Sequence, residues 1–331
     1  MGRSKYRVIS TIFGVLFIAC IIGVVVKLRT TGTTRIAANP IQVISNVPKT
    51  IPSTDQSSYD HAVLGDHPVA FWAMSNPGAH EADLTGNGHT GTYKGSTVST
   101  TSMPDGESAV VFNKKGQFLT VPSNTALSVS TTKELTWEGW VKPSTLQFSY
   151  ASSSDYVEWM GKCQNTSSGC EWAARMYSVD TSQGRCSRLS AYVFNSTAGL
   201  GSGAFWQPTC GLLQANQWLY VVGEYDASAT ATGCDATYPG TINIWVDGIE
   251  WNQSAHAPTG CMSQYKISPV AGDSPLNIGT VSLDTWFQGA IGKVAIYNYL
   301  LSTGQIQTHF RAMTGESPNG YCSYSCSLGA S

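Results

Sequence analysis

Between residues 59 and 315, short runs of alternating apolar and polar positions are separated by clusters of Gly, Asn, Asp, Ser and Pro at intervals of about ten residues. That pattern predicts an antiparallel all-β sandwich. In residues 69–74, Val69, Phe71 and Ala73 alternate with Ala70, Trp72 and Met74, bounded by Pro68 and by the Asn76, Pro77, Gly78 turn. In residues 135–141 the pleat places Leu135, Trp137, Gly139 and Val141 on one face and Thr136, Glu138 and Trp140 on the other. That second, more polar face is expected to line a groove. Residues 218–226 repeat the scheme, with Leu219, Val221, Gly223 and Tyr225 opposed to Tyr220, Val222, Glu224 and Asp226. After residues 244–246, the pair Asp247-Gly248 tolerates positive φ at both positions and predicts a two-residue hairpin turn. Helical spacing is found at 302–313, where Ser302 is an N-cap and Ile306, Phe310 and Met313 share a face.

A different pattern precedes the strands. Residues 8–26, VISTIFGVLFIACIIGVVV, are uncharged and apolar, with Arg3, Lys5 and Arg7 before them and Lys27 and Arg29 after. At about 1.5 Å per residue they span roughly 28 Å, close to the hydrocarbon thickness of a bilayer. An uncleaved transmembrane anchor is expected, behind a short cytoplasmic basic N-terminus at 1–7. A removed signal peptide and a lipid-modified Cys20 are the alternatives. The run exceeds the roughly 7–15 apolar residues of a signal peptide, and it continues through Ile21, Ile22 and Val24 to Val26 beyond the cysteine. Residues 27–58, rich in Thr, Ser, Pro and Asn, bury too little to offset the entropy of ordering and read as a flexible linker.

Basic residues on the two flanks are nearly balanced, so the cysteines decide the orientation. Cys163, Cys170, Cys186, Cys210, Cys234, Cys261, Cys322 and Cys326 are even in number and contain no C-x-x-C pair. They predict disulfides in an oxidising compartment. The expected location is therefore the cell membrane, single-pass, with the C-terminal domain extracellular. Pairing of neighbours (Cys163 with Cys170, Cys186 with Cys210, Cys234 with Cys261, Cys322 with Cys326) is expected among about 105 connectivities. Charged residues make up 12% of the 331, and the formal net charge of −2 provides no basic footprint for nucleic acid.

The ordered motifs resemble the laminin-G-like, concanavalin A-like jelly-roll domains. The likeness is carried by DHPVAFW at 66–72, ADLTGNGHTGTY at 82–93, AVVF at 109–112, LTWEGWVKP at 135–143, WLYVVGEYD at 218–226, IWVDG at 244–248, LNIG at 276–279 and FQGAIGKVAIYNYLLS at 287–302. The resemblance implies a two-sheet jelly roll over residues 59–315 with a short helix after its last strand. Residues 316–331 are left as a tail. It also implies calcium near the Gly86, Asn87, Gly88 loop, with Asp83 and Asn87 as ligands. One departure stands out: where the family commonly has Asp-Glu-Val, this chain has Gly292-Lys293-Val294, so a carboxylate is lost and a cation gained. The segment from Tyr150 to Cys210 departs from the family pattern too. Insertions in sandwiches sit in end loops, and any private specificity is expected there.

Three kinds of site are candidates. Sugar sites combine an aromatic platform with a few polar groups, and Trp159, Trp172, Trp206, Trp251 and Trp286 lie near predicted loops or strand ends. Calcium on Asp83 and Asn87 is the second. The third is glycoside hydrolysis, which needs two carboxylates about 5–9.5 Å apart. Glu224 and Asp226, or Glu81 and Asp83, fit alternate strand positions about 6.6 Å apart. The acidic signatures E-x-D-x-x-E and E-x-D-x-E of jelly-roll glucanases are missing. Asn165, Asn195 and Asn252 fit the glycosylation pattern. The expected function is non-catalytic recognition or adhesion toward a glycan or glycoprotein. A glycan-cleaving enzyme and a structural surface-assembly protein are the alternatives.

Overall fold

The computed structural model describes residues 57–164, 169–179, 185–195, 200–228, 235–251, 261–262 and 266–318. The apolar run at 8–26 with Cys20, the linker up to residue 56, Cys234, Cys322, Cys326, Asn165 and Asn252 lie outside them. Among the described residues no helix is long and apolar enough to cross a membrane.

The chain opens with helix α1 (Ser58–Gly65), followed by strands β1 (Ala70–Trp72), β2 (His80–Glu81), β3 (Gly91–Lys94), β4 (Ser99–Ser102), β5 (Ser108–Phe112) and β6 (Phe118–Val121). A short helix α2 (Val129–Thr132) leads into β7 (Glu134–Pro143), β8 (Tyr156–Lys162), β9 (Trp172–Tyr177), β10 (Arg188–Asn195) and β11 (Leu200–Trp206). Then come β12 (Leu219–Asp226), β13 (Thr241–Val246), β14 (Ile249–Glu250), β15 (Leu276–Ile278), β16 (Gly289–Tyr297) and helix α3 (Thr303–Thr314). Two antiparallel sheets result. The first runs β14-β13-β12-β7-β16-β5-β4, with β1 also on β16; the second runs β11-β10-β9-β8-β15-β6-β3-β2. This is the sandwich that the alternation predicts, with jelly-roll crossovers between the sheets.

The space between the sheets is filled from the faces expected for β7 and β12. Leu135, Trp137, Val141, Leu219, Val221 and Tyr225 meet Trp159, Trp172, Leu189 and Ala191 of the second sheet. Trp137 lies edge-on to Trp159 at 5.6 Å and stacks with Trp172 at 6.4 Å. Gly223, directly across from Trp137 in the ladder, leaves the room this indole occupies: a Cβ there would lie 2.2 Å from the ring. Gly223→Ala is therefore expected to destabilise by about 1–3 kcal/mol through overpacking, as a lowered denaturant midpoint with an unchanged slope.

The opposite face of β7 is not the groove that its polarity suggested. Helices α1 and α3 cover it, and Glu138 is fully buried. Trp140 stacks between Tyr220 at 5.2 Å and Phe310 of α3 at 6.0 Å. Helix α3 starts where Ser302 predicts, through a reciprocal capping box with Gln305, and ends at Gly315 with φ 74. The hairpin turn also forms at Asp247 (φ 52) and Gly248 (φ 78), between paired Val246 and Ile249. Helix α1 has no counterpart in the periodicity, since its buried side chains are only Tyr59, Asp60 and Val63.

Two buried polar clusters fasten these helices. Lys293 Nζ, fully buried, reaches Asp60 Oδ1 of α1 at 2.6 Å and also Glu107 Oε2. A bulge between Gly292 and Ala295 makes this geometry possible. In an unbroken strand, position 293 would follow Ile291 into the apolar interior; the extra residue, with Lys293 at φ 52, turns the ammonium to the helix side. In the second cluster, Glu138 accepts hydrogen bonds from the hydroxyls of Tyr220 and Tyr297 and from His309 Nδ1 at 3.0 Å. His309 Nε2 faces Asp66 Oδ2 at 3.0 Å.

Candidate functional site

The segment 150–210, expected to form end loops, instead supplies β8, β9, β10 and β11, half of the second sheet. Disulfide Cys163–Cys170 joins the end of β8 to the start of β9, and Cys186–Cys210 ties the approach to β10 to the loop after β11. Cys261 is also disulfide-bonded. Both helices α1 and α3 pack on the first sheet. The outer face of β8–β11 carries arginine and aromatic side chains instead.

Their placement follows from the pleat. On β9 and β10, Trp172, Ala174, Met176, Leu189, Ala191 and Val193 point inward, so Arg175, Tyr177, Arg188, Ser190, Tyr192 and Phe194 point out. The registers Arg188↔Tyr177 and Ser190↔Arg175, with Ser190↔Phe205 on the other side, knit them into a grid. The Arg175 guanidinium lies over Tyr156 at 4.2 Å, Tyr192 at 4.5 Å and Phe194 at 4.8 Å. Arg188 lies over Tyr177 at 4.0 Å and Phe205 at 4.8 Å. Gly201 and Gly203 of β11 leave space for these rings, since a Cβ would come within 2.7 Å of Phe194 and 2.9 Å of Tyr192.

The two arginines differ electrostatically. Arg175 is neutralised by Glu158, whose Oε1 accepts from its Nε at 3.1 Å and Nη2 at 2.9 Å. Arg188 has no carboxylate partner among the described residues, and its Nε is buried without a hydrogen bond. Beside it the Ser190 hydroxyl, 1% exposed, is also unbonded. The local field is positive: burial favours the neutral phenol of Tyr177, yet the nearby Arg175 and Arg188 cations hold its pKa below the ordinary value. Tyr177 and Phe194 are buried beneath this face, and the half-buried rings are Tyr156, Tyr192 and Phe205; such rings can stack on the C–H face of a sugar while a guanidinium without a carboxylate partner pairs with its carboxylate or sulfate.

The tryptophans read from the sequence do not form a platform. Trp159 and Trp172 are fully buried between the sheets, where no saccharide reaches them. Trp206 and Trp286 are 8% and 6% exposed, and half-buried Trp251 tilts against Trp206 at 6.1 Å. The arginines and tyrosines of β9 and β10 were not singled out from the sequence. Their signal was the alternation itself, in WAARMY and RLSAYVFN.

The acidic candidates are placed as follows. Glu224 lies under Trp245, whose indole donates to its Oε2 at 2.6 Å, and its Oε1 has no partner; burial raises its pKa to about 7. Asp226 Oδ1 accepts from the Ser228 amide and hydroxyl, both at 2.7 Å. Glu81 accepts from Met74 N and from the Tyr93 hydroxyl. Asp83 organises its loop. Its Oδ1 accepts from Phe71 N, Thr85 N and Thr85 Oγ1, and its Oδ2 from His89 N, while Asn87 Nδ2 donates to Val69 O. These bonds account for the loop's shape without a cation. No cluster of three or more His, Cys, Asp or Glu among the described residues is arranged to hold a metal ion.

Comparison with known proteins agrees with the fold. No curated protein matches the chain in sequence. The receptor binding domain of botulinum neurotoxin C/D mosaic serotype is similar in structure, with TM-score 0.53 and 10% identity over 74% of this chain and 51% of that one. So is the binding domain of Paraclostridial Mosquitocidal Protein 1, at TM-score 0.53 and 13% identity over 75% and 53%. The botulinum neurotoxin serotype D ligand binding domain in complex with N-acetylneuraminic acid matches at TM-score 0.52 and 11% identity over 76% and 52%. The chain thus spans about half the length of these domains, and at such identities the likeness concerns the fold. The sequence model of the concanavalin A-like lectin/glucanases superfamily, in its laminin G form, matches residues 113–307, more than half of the chain, and the chain belongs to that superfamily.

Proposed function

We propose that the chain is a non-catalytic recognition module that binds acidic glycans through the outer face of β8–β11, carried on the cell surface by residues 8–26. The observation that supports this reading is Arg188, stacked between two rings on the face away from helices α1 and α3, with no carboxylate of its own. An anionic saccharide supplies the missing charge. Arg175, held by Glu158, acts as the rigid floor. The fold is compatible with this role: one of the similar structures, the serotype D domain, was solved with N-acetylneuraminic acid. A fold hosts many functions, so the proposal rests on the face rather than on the likeness.

The test is a glycan array probed with the full chain, with and without chelator. Carboxylated or sulfated glycans are expected to bind and neutral ones to bind weakly. Arg188→Gln should lower affinity for acidic glycans about tenfold, the worth of one charge-assisted hydrogen bond at roughly 1.5 kcal/mol. Unchanged binding by this variant would remove the face from consideration. Loss of binding in chelator would restore a calcium role for Asp83 and Asn87, and release of reducing ends would favour the hydrolytic alternative at Glu224 and Asp226.

A further inference from the structure

At one end of the sandwich, where α2 leads into β7 and where β12 and β13 meet, the surface sinks into a recess of about 200 Å³. Its lining includes Val129, Lys133, Tyr225, Tyr238, Ile267 and Pro269. Apolar and aromatic groups line it together with the hydroxyls of Ser130, Thr237 and Ser268. That mixture is what a sugar ring requires: a flat C–H face to cover and hydroxyls to pair. The volume suits a single ring rather than a chain.

Two side chains at this recess present polar groups that a ligand can reach. Tyr225 is 4% exposed, and its hydroxyl, which has no hydrogen-bond partner among the described residues, is the part left open to solvent at the recess. Lys133 ends α2 in the left-handed conformation, φ 67, a position that glycine occupies without strain. Its ammonium is exposed and makes no ion pair with a described residue. The rim is held in place from both sides: Ala227 N donates to Lys133 O at 2.8 Å, and Asp226, the nearest carboxylate in sequence to Tyr225, is engaged by Ser228. Strain kept at a surface lysine beside an unbonded phenol fits a site where both groups meet a ligand.

We infer that this recess binds the carboxylate-bearing pyranose at the end of a glycan, the Tyr225 hydroxyl bonding a ring substituent and the Lys133 ammonium pairing with the carboxylate. This deepens the saccharide reading and rests on it, adding a site apart from the arginine face. Glucuronic acid is the probe, with glucose as the neutral comparison and a disaccharide ending in glucuronic acid to separate a free sugar acid from a glycan terminus. Binding to the full chain is followed by ligand-observed NMR titration.

Glucuronic acid is expected to bind more tightly than glucose, and the disaccharide at least as tightly as the free acid. Tyr225→Phe, which removes one hydroxyl, should weaken glucuronic acid about three- to tenfold. Lys133→Gly should weaken it about tenfold while raising the thermal midpoint, because glycine relieves the left-handed backbone. That gain in stability keeps a binding loss from being confused with misfolding. If both variants bind glucuronic acid as the parent does, the inference is overturned. If Arg188→Gln alone abolishes acidic-glycan binding, the recess fails and the arginine face stands. If Tyr225→Phe and Lys133→Gly lose binding while Arg188→Gln does not, the recess stands and the face fails.

Discussion

Replacing Lys293 by methionine is expected to cost about 3–5 kcal/mol of folding stability, the usual penalty when one member of a buried ionic cluster is removed. The ammonium is fully buried, and Asp60 beneath it is nearly so. Without the lysine, Asp60 has no cation, while Glu107, about a third exposed, can turn to solvent. The double variant Lys293→Met, Asp60→Leu should recover part of the loss, since apolar side chains at both positions leave no unpaired buried charge. Urea denaturation of the three proteins measures this directly. A cost below about 1 kcal/mol for Lys293→Met would mean that the cluster does not fasten α1.

His309→Leu is expected to have a comparable effect and to carry a pH signature as well. Both imidazole nitrogens face carboxylates, Glu138 at 3.0 Å and Asp66 at 3.0 Å, and only the doubly protonated ring can donate to both. Burial alone would lower the pKa of His309. The carboxylates of Glu138 and Asp66 outweigh it, and the pKa stands above its ordinary value. A raised folded pKa means that the stabilisation is fully present below the unfolded value of about 6.5 and is lost as pH rises through the folded value. The parent should therefore lose stability on the alkaline side of about 6.5, and His309→Leu should be flatter there. The variant should also be weaker at pH 6 by about 3 kcal/mol, because Glu138 then keeps only its tyrosines. Thermal melts of both proteins from pH 5.5 to 9 test the prediction, and parallel curves would refute it.

Much of this architecture could be read from the amino-acid order, for identifiable reasons. Strands β7 and β12 alternate because one face fills the interior, so Trp137 and Val221 announce their side directly. Ser302 and Asp247-Gly248 carry local backbone instructions that need no tertiary context. Helix α1 escaped notice because Asp60, one of its main anchoring residues, is polar, and its place in the core depends on a lysine 233 residues away. That same lysine was visible as a departure from the family motif, but its partners were not. The face of β8–β11 was hidden for a related reason: Arg175 and Arg188 acquire meaning only when β9, β10 and β11 align and set Tyr177, Tyr192 and Phe205 around them. Tryptophan, chosen from the sequence as the sugar platform, serves the interior just as well, as the fully buried Trp159 and Trp172 demonstrate.

Helices α1 and α3 touch at their outer surfaces, where the Ser58 hydroxyl donates to Ala312 O at 2.9 Å. The first and last described helices are therefore neighbours on the side remote from the arginine lattice. A polypeptide closed in this manner behaves as a cassette. It can be spliced into an exposed loop of an unrelated carrier through two short joints, without parting either sheet and without the carrier obstructing the lattice.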